Sequence, residues 1–125
     1  MARWFTMAIL VLFTSVATAV EVRFEPVAEN VYAHVGDIGA RSVANDGLNA
    51  NLGLVVTAAG AVLIDSGASF QSARKIHEAA KKVTPQPIKW VINTGGQDHR
   101  WLGNGYFKAQ GVEILAHANA EADMK

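Results

Sequence analysis

The chain has 125 residues, half of them hydrophobic, and no cysteine, which fits one small globular unit and excludes disulfides, thiolate metal ligands and cysteine nucleophiles. Lys plus Arg and Asp plus Glu balance at 11 each, and neither sign is gathered into a long run, so charge points to no nucleic-acid or anionic-membrane partner. A metal would have to be held by His, Asp or Glu, and the only imidazoles are His34, His77, His99 and His117.

In chain order, Arg3 gives a positive start, Phe5 to Val16 an apolar stretch, and Ala17-Thr18-Ala19 a small-residue cleavage pattern. Residues 1–19 therefore read as a secretory signal peptide, cleaved after Ala19. The apolar stretch falls short of the ~20 residues that a bilayer span requires. The expectation is an exported, periplasmic protein with no stable membrane anchor after cleavage, and a domain over residues 20–125.

Val31 to Val35 reads as a short strand, and Gly36 to Asn51, with Gly36, Gly39 and Asn45-Asp46-Gly47, as a loop with a tight turn. Leu52 to Thr57 and Ala61 to Ile64 are apolar runs joined by Ala58-Ala59-Gly60, a hairpin of buried strands. Asp65-Ser66-Gly67 closes the second. From about Ser72 the period changes: Ala73, Ile76, Ala80 and Val83 fall at helical spacing, with Arg74, Lys75, Glu78, Lys81 and Lys82 opposite, until Pro85 and Pro87 stop the helix. His77, on the edge of that helix among Lys and Glu, reads as a solvated or packing residue. Ile88 to Asn93 is a strand, Thr94 to Gly105 a polar loop with glycines, Val112 to Ala116 a short strand, and Ala118 to Lys125 the opening of another helix. The order strand, strand, helix, strand, loop, strand predicts an α/β fold.

Chemistry concentrates in Val91 to Asn104. Asp98 and His99 stand side by side just past a strand, where open α/β sheets put their ligand crevices. One oxygen and one nitrogen suit a borderline divalent ion, but a catalytic zinc takes three protein ligands and an open position. The plainer reading is an ordinary loop, in which the Asp accepts backbone hydrogen bonds and the His is exposed. Gly95-Gly96 is either turn punctuation or a nest of unhindered amides for an anion.

From about Phe24 to its end the chain resembles the metallo-β-lactamase superfamily. Asn51 to Val56 is similar to that family's early strand, and Val62-Leu63-Ile64-Asp65-Ser66-Gly67 to its strand ending in an aspartate turn. Val91-Ile92-Asn93-Thr94, then Asp98-His99, then Gly103-Asn104, resembles the loop usually written N-T-H-x-H-x-D-H-x-x-G-G-N. The resemblance implies the N-terminal half of an αββα sandwich, with zinc as cofactor and a small-molecule substrate. Asp98 and His99 would be metal ligands, Asp98 the catalytic carboxylate through that ion, and Asp65 a residue that orients the loop from behind. The two leading histidines of the pattern are absent. Between Thr94 and Asp98 lie only Gly95, Gly96 and Gln97, one residue fewer than the pattern, so the resemblance implies one ion rather than two. His117 matches no ligand and is expected to serve packing or loop support. The Gly95-to-Asn104 variant is also similar to a periplasmic branch that accompanies sulfur-oxidation and quinoprotein systems. The expected function is zinc-dependent hydrolysis of a carbonyl substrate; the alternative is a non-catalytic periplasmic ligand-binding protein on the same fold.

Overall fold

A computed structural model describes residues 20–125; the expected signal peptide, residues 1–19, lies outside the described residues. Six strands form one sheet in sequential order: β1 (Glu25–Ala28), β2 (Val31–His34), β3 (Leu52–Thr57), β4 (Gly60–Ile64), β5 (Ile88–Asn93) and β6 (Glu113–Ala116). The first four pair antiparallel, and β4, β5 and β6 run parallel. Helix α1 (Phe70–Val83) makes the crossover from β4 to β5; α2 (Asp98–Trp101) and α3 (Asn104–Ala109) lie between β5 and β6, and a 3-10 segment (Ala118–Met124) follows.

The register explains the layering. Tyr32, Leu54, Leu63, Val91 and Ile114 share one row across the sheet. That face meets Ala73, Ile76, Ala79 and Ala80 of α1 and Tyr106 and Phe107 of α3 to form the core. Side chains alternate in a strand, so the rows between face the other way. They are Val31, Val55, Val62 and Trp90, then Ala33, Gly53, Ile64, Ile92 and Leu115. None of these is fully buried, and Ile92 and Leu115 are exposed. A sheet with helices on one face and an open apolar face on the other is one half of an αββα sandwich, as expected. Among the described residues no helix is long and apolar enough to cross a membrane.

Several boundaries differ from the sequence reading. Strand β1 lay unassigned because Glu25-Pro26-Val27-Ala28 is exposed throughout and shows no alternation; it pairs at the sheet edge, where a proline needs no ladder partner. Helix α1 starts at Phe70, two residues before Ser72: Ser69 accepts from the Ser72 N–H at 3.0 Å while Ser72 Oγ accepts from the Ser69 N–H at 2.9 Å. This reciprocal cap uses Ser where Glu or Gln is the usual signal. The stretch from Thr94 to Gly105 is not a continuous loop. It holds the single turn of α2 and the start of α3, steadied by the Trp101 indole N–H donating to the Gly96 carbonyl at 2.9 Å.

Three of the four histidines have structural work. His34 is buried with Nδ1 within 3.3 Å of the Arg23 N–H and 3.1 Å of the Arg23 carbonyl. His77 reaches Tyr106 Oη at 3.0 Å and packs on the Tyr106 and Phe107 rings, which supports the packing role expected for it. His117 caps the 3-10 segment by accepting from the Asn119 N–H at 3.1 Å, the loop support expected for it.

Two consequences can be measured. A Cβ at Gly103 would run into the Ser66 carbonyl, whereas one at Gly105 meets nothing within 4 Å. Gly103→Ala should lower the urea midpoint markedly, and Gly105→Ala, inside α3, should raise stability by roughly 0.5–1 kcal/mol. Burial of His77 and, after it, the charge of Lys81 hold its pKa below the usual value. Folding thus favours the neutral ring, whose contribution is complete above about pH 6.5 and is lost as pH falls through the lowered pKa. Urea midpoints at about pH 7.5 and about pH 5.5 should show a smaller acid loss in His77→Gln than in the parent chain.

Candidate functional site

Because β4, β5 and β6 are parallel, their C-terminal ends lie at one edge of the sheet, and so do the segments that follow them. The loop from β2 to β3, residues 35–51, reaches the same edge. Between them opens a cleft of about 630 Å³ lined by Val35, Asp37, Ile38, Asp65, His99 and Arg100 among others.

The floor of the cleft is set by the turn after β4. Asp65 is buried and adopts left-handed backbone (φ 63°), a conformation that Asp tolerates better than most residues. Its carboxylate accepts from the Thr94 N–H at 2.8 Å and from Thr94 Oγ1 at 2.7 Å, and its own N–H donates to the Ile92 carbonyl at 2.9 Å. Asp65 thereby orients the loop after β5. Next to it, the Ser66 N–H donates to the Arg100 carbonyl at 2.8 Å and Ser66 Oγ to Asn104 Oδ1 at 2.7 Å. The Asn93 amide donates to the Arg100 carbonyl at 2.9 Å, and the Asn104 amide to Asn93 Oδ1 at 2.8 Å. The Gly103 N–H donates to the Gly67 carbonyl at 2.9 Å. The two segments are thus joined along their length by buried polar contacts.

On this frame α2 presents Asp98 and His99. His99 Nδ1 stands 3.6 Å from Asp98 Oδ1, and Asp98 Oδ2 forms an ion pair with Arg41 of the 35–51 segment. Their side chains keep 48% and 27% of their exposure, so both are accessible. The structure therefore brings the two residues together, and of the four histidines only His99 lines the cleft. Among the described residues no group of three or more His, Cys, Asp or Glu converges as a ligand set. One carboxylate and one imidazole suit zinc in donor chemistry but form only part of the three-ligand set of a catalytic ion.

Gly95 and Gly96 line a second opening of about 580 Å³ with Thr94, Gln97, Arg100 and Asp123. Gln97 Oε1 and the Arg100 stem lie 3.0 and 3.5 Å from where a Gly95 Cβ would sit, and Asp123 lies against Gly96. An anion at these amides would have to displace the Asp123 carboxylate. The Arg100 guanidinium donates to Thr94 Oγ1 at 2.6 Å and stands 3.9 Å from Asp65 Oδ2, and its buried Nε has no partner among the described residues.

Sequence reasoning missed Asp37 and Arg41. The Asn45 amide and the Gly39 N–H hold the Asp37 carboxyl below the usual carboxylate range, so it stays charged at the rim. Neither residue carries a periodic or motif signal; Asp37 reaches the cleft, and Arg41 reaches Asp98, only through the folded loop. The frame itself gives a prediction. Asp65→Asn keeps the shape but leaves one Thr94 donor without an acceptor, and should cost about 1–3 kcal/mol in urea unfolding.

Residues 45–124 match the family profile described as the metallo-beta-lactamase superfamily. The fold is similar to the metallo-beta-lactamase FIM-1 of Pseudomonas aeruginosa in its mono-zinc form, with TM-score 0.69 and 20% identity over 85% of this chain and 46% of that one. It is also similar to a metallo beta lactamase of Hirschia baltica, with TM-score 0.69 and 19% identity over 84% of this chain and 47% of that one. A third, from Erythrobacter litoralis with beta mercaptoethanol in its active site, gives TM-score 0.67 and 20% identity over 83% and 45%. The chain spans about half the length of these solved structures. No curated protein sequence matches it.

Proposed function

Given that the chain belongs to the metallo-beta-lactamase superfamily, we propose that the whole protein is a metal-dependent hydrolase that works with a single divalent ion at Asp98 and His99. One observation carries the reading: the only histidine that lines the cleft adjoins an accessible carboxylate at the C-terminal edge of the parallel strands. Zinc is the ion proposed, and the mono-zinc form of the Pseudomonas aeruginosa relative is a precedent for one ion on this fold. When bound, such an ion supplies Lewis-acid charge for water activation and for a carbonyl oxygen.

The chain's own residues do the rest. Asp98 gives a carboxylate oxygen and His99 an imidazole nitrogen, with further ligands required from outside the described set. Asp65, through Thr94, fixes the loop from which both project. Val35 and Ile38 give the cleft an apolar rim, and Asp37 and Arg100 give it fixed charges of both signs. These features suit a small ester, thioester, amide or lactam. Glycine and glutamine in place of the leading imidazoles argue against efficient β-lactam hydrolysis. We also propose export to the periplasm by the leader over residues 1–19. Membership of the branch that accompanies sulfur-oxidation and quinoprotein systems is part of the same proposal and rests on the Gly95-to-Asn104 stretch.

The second reading, a non-catalytic binder, draws on the polar opening at Gly95, Gly96 and Gln97 beside Arg100, where an anion would first have to displace Asp123. Metal content separates the two. Full-length protein purified without chelator should carry about one zinc per chain, and Asp98→Ala and His99→Ala should each weaken zinc binding by at least about 100-fold, the upper range seen for loss of mere supporting groups. Metal-free protein that takes up no zinc on titration would leave the binder reading.

A further inference from the structure

Arg41 engages the same carboxylate that the hydrolase reading assigns to the ion. It pairs with Oδ2 of Asp98, while Oδ1 faces His99. The pair joins the 35–51 segment to α2. Arg41 belongs to the segment over residues 35–51, which is organised from within by Asn45: its amide donates to Asp37 Oδ2 and the Ala40 carbonyl, each at 3.0 Å, and its Oδ1 accepts from the Ser42 and Gly47 N–H groups at 2.9 and 3.0 Å. Lys75 of α1 pairs with Asp46 and holds the far side of that segment. The Arg41 stem lies along Gly47, where a Cβ would come within 3.2 Å of its Cγ and Cδ. Among the described residues, the Arg41–Asp98 pair is the ion pair between this segment and α2.

From this geometry we propose that Arg41 is a positioning residue that latches the 35–51 segment onto Asp98, and that a divalent cation binding at Asp98 opens the latch. Two positive groups cannot both hold one carboxylate at full strength, so occupancy by the ion and closure of the segment oppose each other. The cation half of the proposal rests on the hydrolase reading; the latch itself does not. Both side chains are about half exposed, so the pair is a modest competitor that weakens metal binding rather than preventing it.

The test uses full-length protein with Arg41→Met, which keeps the stem, and Arg41→Lys, which keeps a positive charge. In zinc titrations against a chromophoric chelator, Arg41→Met should bind about two- to fivefold tighter than the parent and Arg41→Lys close to it. The difference should shrink as salt rises from about 50 mM to about 500 mM. Equal zinc affinity in parent and Arg41→Met overturns the competition. The latch is read separately in metal-free protein, by hydrogen exchange at the amides of Asp37, Ser42 and Gly47, which are bonded within the segment. Arg41→Met and Asp98→Asn should each speed that exchange by a similar factor, and the double variant no further; unchanged or additive rates overturn the latch. If no form binds zinc, the hydrolase reading and the competition both fall, and the exchange cycle alone decides the latch.

Discussion

Asp65 sits buried at the end of β4 in left-handed backbone and spends both carboxylate oxygens on Thr94, the residue that follows β5. A buried carboxylate is costly unless hydrogen bonds replace its lost water, and here the backbone N–H and the hydroxyl of one residue do so together. This binds two neighbouring parallel strands at the edge where their following segments diverge. The Ser66, Asn93 and Asn104 contacts extend the join, so α2 leaves the sheet at a fixed place. The positions of Asp98, His99 and Arg100 all follow from that constraint.

The acids around the cleft are balanced by arginine. Arg100 lies over Thr94 and toward Asp65, crossing the room that glycine leaves at position 95, and Arg41 reaches Asp98 from the 35–51 segment. Where the family pattern has its leading imidazoles, this chain has glycine and glutamine, with the Arg100 stem lying beside Gly95. A fixed organic cation can neutralise the acids of the frame, but it has no open coordination position for a reacting atom. Fold and ligand set are therefore separable here, and membership of the superfamily is a statement about the frame.

The frame was largely legible in the sequence. The hairpin of β3 and β4, helix α1 and strand β5 announce themselves through apolar runs or helical spacing, and the turn Asp65-Ser66-Gly67 by its position after β4. Strand β1 was not, since its four residues are exposed and its order comes from pairing with β2 rather than from any pattern of its own. The short helices α2 and α3 were hidden by glycines that read as punctuation, because the contact that needs Gly103 small is with Ser66, far away in sequence. In the site, Asp98 and His99 stood out as an adjacent acid and imidazole. Arg41 and Asp37 did not, because their place depends on how Asn45 folds the segment around itself, and a single asparagine in a loop gives no advance sign of that.

The open sheet face sets conditions on how such a molecule comes into being. The helix-covered core draws on α1 and α3, both close in sequence to the strands they cover, so this layer can condense from contacts of its own. Val31, Val55, Val62, Trp90, Ile64, Ile92 and Leu115 are then left side by side with water above them. Left uncovered, that surface is a template for self-association. Apolar rows of this kind bear on solubility as much as on fold, because a chain that leaves them bare has a route to association that the helix-covered face does not offer.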